Sequence, residues 1–113
     1  MVSVDKMGIT VYFECSVGYE NRDEYLALLK ERNEHFKKLD EVKSVKIMQQ
    51  SWGGVAEKYI ELWEMEKIGD LDSFLMKVYG QDGFPELASK IHSLIELGSL
   101  ERRIWTDVLS FEK

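Results

Sequence analysis

The sequence predicts an α+β fold whose elements follow the order βαββαβ. Two observations carry the prediction. Four segments alternate apolar and polar residues with the period of two that marks a strand covered on one face. The stretches between them place apolar residues three and four apart, the spacing of an amphipathic helix. Strand, helix, strand, hairpin, helix and strand in that order give a split βαβ unit. It forms a sandwich of one four-stranded antiparallel sheet with two helices on one face.

In residues 9–17, Ile9, Val11, Phe13, Cys15 and Val17 point one way, and Thr10, Tyr12, Glu14 and Ser16 the other. Gly18 ends the run. Asn21 followed by Glu24 is a capping-box pattern, and Asp23 adds negative charge to the first turn. The helix so opened carries Tyr25, Leu26, Leu29, Phe36 and Leu39 near one face, with Leu28, Arg32 and His35 on its flank. It is expected to stop near Asp40. Residues 42–52 read as a second strand, with Val45, Ile47 and Gln49 opposite Lys46, Met48 and Gln50. Gly53 and Gly54 supply a tight hairpin connection. Residues 58–66 form the third strand, with Ile60 and Leu62 on one face and Tyr59, Glu61, Trp63 and Met65 on the other.

Asp70 is the expected N-cap of the second helical stretch, which carries Leu71, Phe74, Leu75 and Val78 at helical spacing. Residues 80–85 interrupt it. Leu87, Ala88, Ile91, Leu94 and Ile95 resume it as far as Gly98, and Pro85 is tolerated in the first turn of the resumed helix. Residues 102–109 make the fourth strand, setting Ile104, Thr106 and Val108 against Arg103, Trp105, Asp107 and Leu109. The chain, 1–113, reads as a single domain with residues 1–8 a loose N-terminal lead.

Composition narrows the function classes. With 44% hydrophobic and 32% charged residues, the chain is globular rather than disordered. A net charge of −6 argues against nucleic acid or an anionic membrane as partner, since both reward a basic patch. Lys37, Lys38, Lys43 and Lys46 are interleaved with Asp40 and Glu41 as a solvated edge. A single cysteine excludes an intrachain disulfide and suits a reducing compartment, and neither a membrane span nor a signal peptide is evident. The expected location is cytoplasmic, with Cys15 a buried core thiol.

The helices are expected to cover the aliphatic side of Ile9, Val11, Phe13, Val45, Ile47, Ile60, Leu62, Ile104 and Val108. The opposite side then carries Thr10, Tyr12, Glu14, Met48, Gln50, Tyr59, Glu61, Trp63, Arg103, Trp105 and Asp107. Four strands about 4.8 Å apart present a face of roughly 400 Å². Aromatics on that scale are seldom left in water, yet the charges make a poor dry core. A homodimer through this polar-aromatic face reconciles the two. The alternative is a monomer with a half-wet sheet.

The element order, the run Tyr59, Ile60, Glu61, Leu62, Trp63, Glu64, and the helix broken before Phe84, Pro85, Glu86, Leu87 resemble the dimeric α+β barrel superfamily, a ferredoxin-like group. Its members include antibiotic-biosynthesis monooxygenase-like, stress-responsive barrel and NIPSNAP-like proteins. The resemblance spans residues 9–109. It implies a site between sheet and helices or in the barrel interior, and a small-molecule-binding protein or a cofactor-independent monooxygenase-like enzyme acting on a small aromatic compound. A non-catalytic ligand-sensing or assembly module is the alternative.

Glu14 and Glu61 are expected on neighbouring central strands and on one face, where two close carboxylates can form an acid/base pair. Equally, Arg103 neutralises them or they join a polar network across the dimer. Tyr12, Met48, Gln50, Tyr59, Trp63, Arg103, Trp105 and Asp107 form the candidate ligand-binding wall. The haem-degrading branch binds iron through a histidine on the second helix, assisted by a first-strand asparagine and a tryptophan. His92 matches the first, but the strand offers Thr10, Tyr12 and Glu14, and Phe74 stands where the tryptophan would be sought. His35 is expected at a helix flank or cleft edge. Neither histidine has a partner at metal spacing, and no nucleotide-binding or nucleophile-elbow pattern is present, so the reading includes no cofactor and no metal. Residues 80–83 make either a lip over a cleft or a plain inter-helix loop.

Overall fold

The computed structural model describes residues 8–51, 57–109 and 111. Most of the expected N-terminal lead, residues 1–7, and the connection through Trp52, Gly53 and Gly54 lie outside the described residues. The elements are β1 (Ile9–Ser16), α1 (Arg22–Phe36), β2 (Val42–Gln49), β3 (Lys58–Met65), α2 (Gly69–Tyr79), α3 (Phe84–Leu94) and β4 (Glu101–Thr106). A 3-10 turn, Tyr19–Asn21, leads into α1. The sheet order is β2-β3-β1-β4 and every neighbouring pair is antiparallel.

Register fixes which residues share a face, because directly opposed residues point the same way. Val11 pairs with Trp63, Phe13 with Glu61 and Cys15 with Tyr59. On the far side of β3, Trp63 faces Val45, Glu61 faces Ile47 and Tyr59 faces Gln49. The helix-covered face of β3 therefore carries Tyr59, Glu61, Trp63 and Met65, all buried. Ile60 and Leu62 occupy the open face, opposite Glu14 and Tyr12. This reverses the expectation for β3, whereas β1 and β2 face as expected. The physical reason is area and pairing. Burying Trp63, Tyr59 and Met65 removes more apolar surface from water than burying two aliphatic side chains. The charge of Glu61 is met inside by Arg32 of α1.

Tyr25, Leu29, Arg32 and Phe36 form the buried stripe of α1. Phe36 packs edge-on against Trp63 and Phe74, with centroids 5.1 and 4.9 Å away. Phe74, Val78 and Phe84 join this cluster from α2 and α3, and Leu87 and Ile91 join a second one around Cys15, Tyr25 and Tyr59. Phe74, considered above as a substitute for a haem-site tryptophan, is a core residue with no exposed surface.

Several local expectations are corrected. Asn21 makes no side-chain cap bond, because the 3-10 turn hands its backbone directly to α1. Helix α1 ends at Phe36 rather than near Asp40. Asp70 lies within the first turn of α2, preceded by Ile68 at the N-cap, and still complements the helix dipole there. Pro85 sits in the first turn of α3 as expected, after Gly83, whose φ of 81° favours glycine. Strand β4 stops at Thr106, so Asp107, Val108 and Leu109 lie beyond it.

Candidate functional site

Every residue of β4 is exposed, including Ile104, which is 45% exposed although its side chain lies on the helix side of the sheet. The helices thus cover β1 and β3 more fully than β4. Beneath them lies a cavity of about 620 Å³, within the roughly 300–1,000 Å³ usual for small-molecule sites. Its walls include Phe13, Phe36, Trp63, Phe74 and Phe84. Exposed lining residues are Arg102, Arg103 and Ile104 on β4, Tyr79 on α2 and His92 on α3, so it opens along the β4 edge.

The cavity has a polar spot in its apolar wall. Arg32 is 9% and Glu61 7% exposed. The Arg32 Nη2 group donates to Glu61 Oε1, and Trp63 Nε1 donates to the same oxygen at 2.6 Å. The guanidinium carbon also stands 4.7 Å from the Phe36 ring centroid and 5.7 Å from that of Trp63, within cation–π range. Both donors converge on Oε1, so Oε2 has no protein donor among the described residues. Arg32 Nε is buried without a partner. Carboxylate and guanidinium are therefore held rigidly with hydrogen-bonding capacity to spare, in surroundings where electrostatic interactions are strong.

Deeper in, Cys15 Sγ lies 3.4 Å from the Tyr25 hydroxyl. Burial pushes the Cys15 thiol up, outweighing the opposing effect of the Tyr25 bond. Burial, followed by the bond to Cys15, pushes the Tyr25 hydroxyl up as well. The thiol is thus the buried core group expected, not an activated nucleophile. His35 and Gln81 fix the link between α2 and α3. His35 Nδ1 is 2.6 Å from Gln81 Oε1, and Gln81 Nε2 donates to the His35 carbonyl at 3.1 Å. This double contact favours the plain loop over the lip.

The predicted site residues divide between the two faces. Tyr59, Glu61 and Trp63 line the cavity, and Arg103, on the open-face parity of β4, borders it at that edge. Tyr12, Glu14, Met48, Arg103 and Trp105 belong to the open face, as the pairings of Tyr12 with Arg103 and Thr10 with Trp105 require. Gln50 follows β2 and donates its backbone N–H to the Lys58 carbonyl at 2.9 Å. Asp107 follows β4 and is exposed. Glu14 and Glu61 stand on neighbouring strands but opposite faces, which corrects the expected carboxylate pair. Arg103 binds neither of them: it contacts Glu101 at 2.7 Å and lies 5.4 Å over the Tyr12 ring. Glu14 accepts from the Tyr12 hydroxyl at 2.9 Å and lies 3.4 Å from Lys58 Nζ. The Tyr12 bond above all, then Lys58, holds its carboxyl below the usual range. Sequence reasoning left Arg32 and Arg102 out of the site. Arg32 carried a signal, since it interrupts an otherwise apolar stripe at helical spacing.

The fold is ferredoxin-like, as in solved structures on which the chain superposes. The chain superposes on SnoaB, a cofactor-independent oxygenase from Streptomyces nogalater, with a TM-score of 0.74 at 12% identity, covering 95% of this chain and 99% of that one. A NIPSNAP family protein from Agrobacterium tumefaciens gives 0.73 at 18% identity over 89% and 86% of the two chains. A dimeric ferredoxin-like protein from an uncultured marine organism gives 0.75 at 13% identity over 98% and 96%. No family model and no curated protein sequence matches the chain. Among the described residues, no helix is long and apolar enough to cross a membrane.

Proposed function

We propose that this chain is a single-domain, cytoplasmic, small-molecule-binding protein that works as a homodimer and takes a flat aromatic compound into the cavity beneath its helices. The observation that carries this reading is a 620 Å³ aromatic cavity holding the buried Arg32–Glu61 pair. An apolar pocket with a few fixed polar groups is the general form of a small-molecule site.

The likeness to SnoaB supports a further step, oxygenation without a cofactor. In such a reaction the substrate itself must supply the electrons. One ring carbon loses two hydrogens and gains one atom of O₂ as a carbonyl, while the other atom leaves as water. Glu61 is the residue suited to receive the first proton, and Arg32 stabilises the resulting oxyanion. Glu61→Asp keeps the charge but withdraws the carboxylate by one methylene. It should lower oxygen consumption with an anthrone-class probe at least tenfold while changing probe affinity little. Probe binding with no oxygen uptake by the unaltered protein would instead favour a ligand-sensing module. That reading draws support from the way Arg32 and Trp63 already satisfy Oε1.

The open face supports the homodimer. Ile60 and Leu62 join Tyr12, Met48 and Trp105 there, and Trp105 is 57% exposed. A sheet face of roughly 400 Å² falls short of the roughly 800 Å² per partner of a stable interface. Beyond β4, Val108, Leu109 and Phe111 are exposed as well. Sedimentation should give a dimer at micromolar concentration, and Leu62→Lys should give a folded monomer. A monomer without the substitution refutes the assembly.

A further inference from the structure

We propose that the cavity is specific for an aromatic acid, with Arg102 at its mouth receiving the acid group and Glu61 inside receiving a hydroxyl at the opposite end. The proposal rests on the cavity reading above and names the ligand class. Its basis is one cross-strand row. Glu61 pairs with Phe13 on β1, and Phe13 pairs with Arg102 on β4. The three residues therefore stand side by side on the helix face of the sheet. Strands lie about 4.8 Å apart, so the backbones at Glu61 and Arg102 are roughly 10 Å apart, with Phe13 between them.

All three line the cavity. Phe13, with its centroid 4.6 Å from that of Trp63, offers an aromatic surface midway. The polar groups differ in kind. The inner one is a carboxylate with Oε2 free of protein donors among the described residues, an acceptor for a hydroxyl. The outer one is an arginine with no carboxylate partner among the described residues, and neighbouring Glu101 is engaged by Arg103. Exposed His92 borders the same opening from α3. In a chain of net charge −6, an arginine at the mouth of the cavity with no ion-pair partner among the described residues is a local exception. It selects a negative group over a neutral one. The ligand class is thus a fused-ring aromatic with a hydroxyl at one end and a carboxylate at the other.

The test uses 6-hydroxy-2-naphthoate, its neutral methyl ester, and 2-naphthoate, which lacks the hydroxyl, with affinities measured by calorimetry. The expected result is at least tenfold tighter binding of the acid than of its ester. Arg102→Gln should abolish that preference and leave ester affinity within twofold. Lys90→Gln, at an exposed position on α3 away from the cavity, should leave the preference intact. Removal of the hydroxyl should weaken binding severalfold, and Glu61→Asp should reduce that difference. Equal affinity for acid and ester, or a preference that survives Arg102→Gln, overturns the proposal while leaving the cavity reading standing. Binding unaffected by loss of the hydroxyl overturns the inner half. Failure of all three compounds to bind counts against the cavity reading itself, and this proposal falls with it.

Discussion

The sharpest test of the site is a double-mutant cycle on Arg32 and Glu61. The side chains of both are about nine-tenths buried, so removing either one strands the other's charge away from water. Breaking such a pair costs about 3–5 kcal/mol. Arg32→Met also gives up the cation–π contacts with Phe36 and Trp63, while its thioether retains much of the packing. Glu61→Gln keeps an acceptor for Trp63 Nε1 but leaves the guanidinium facing a neutral amide. For a chain of this size the urea m-value is about 1–3 kcal/mol/M, so either single variant should lower the midpoint by about 2 M. The double variant holds no buried charge and should lose only about 1–2 kcal/mol. The coupling energy is then at least about 4 kcal/mol in favour of the pair. All four proteins are compared by urea unfolding at one concentration, because assembly would make stability concentration-dependent. Additivity to within about 0.5 kcal/mol would refute the reasoning, since that is the behaviour of distant, independent sites.

Three further outcomes follow from the same geometry. Phe74→Ala empties a fully buried ring position against Phe36 and Trp63 and should cost about 3–5 kcal/mol by urea unfolding. Tyr12→Phe removes the main cause that lowers the Glu14 carboxyl, so NMR titration should show its midpoint moving up. The stabilisation from that lowered carboxyl is present above the unfolded carboxylate range and lost as pH falls through the folded value, so the variant should differ in stability at pH 7 and converge with the parent in acid. Cys15, 5% exposed and with its thiol pushed up by burial, should react with a maleimide too bulky to enter the cavity only as the protein unfolds. Rapid labelling of the native protein would contradict the description of its surroundings.

The strands were legible because a period of two is hard to mistake, and β1 and β2 also revealed their faces. β3 did not, because both of its parities are apolar. Ile60 and Leu62 look like the core set, and Glu61 makes the other set look external. The deciding information sat 29 residues before Glu61, where Arg32 occupies the inner stripe of α1 between Leu29 and Phe36. An arginine there requires a buried acceptor, and Glu61, flanked by Tyr59 and Trp63, is that acceptor. The exposure of β4 had no comparable signal. Ile104 alternates as a core residue would, and only the placement of the helices leaves it uncovered. The Asn21 cap failed for a local reason, because a 3-10 turn supplied the helix entry that the side chain was expected to provide.

The reversal of β3 changes the chemistry as well as the packing. With Glu14 and Glu61 on one face, two carboxylates sharing a cavity would have raised one another's affinity for protons. On opposite sides of the sheet they act independently: Glu14 is tied to Tyr12 and Lys58, and Glu61 to Arg32 and Trp63. The two carboxylates do not form a dyad, and Glu61, with the Arg32 guanidinium beside it, is the only one of the pair that faces the cavity. Glu14→Gln should accordingly leave the affinity for 6-hydroxy-2-naphthoate unchanged within twofold, and its effect should appear in the dimer equilibrium measured by sedimentation. The same substitution would abolish cavity binding if the two acids did cooperate, and that outcome would return Glu14 to the site.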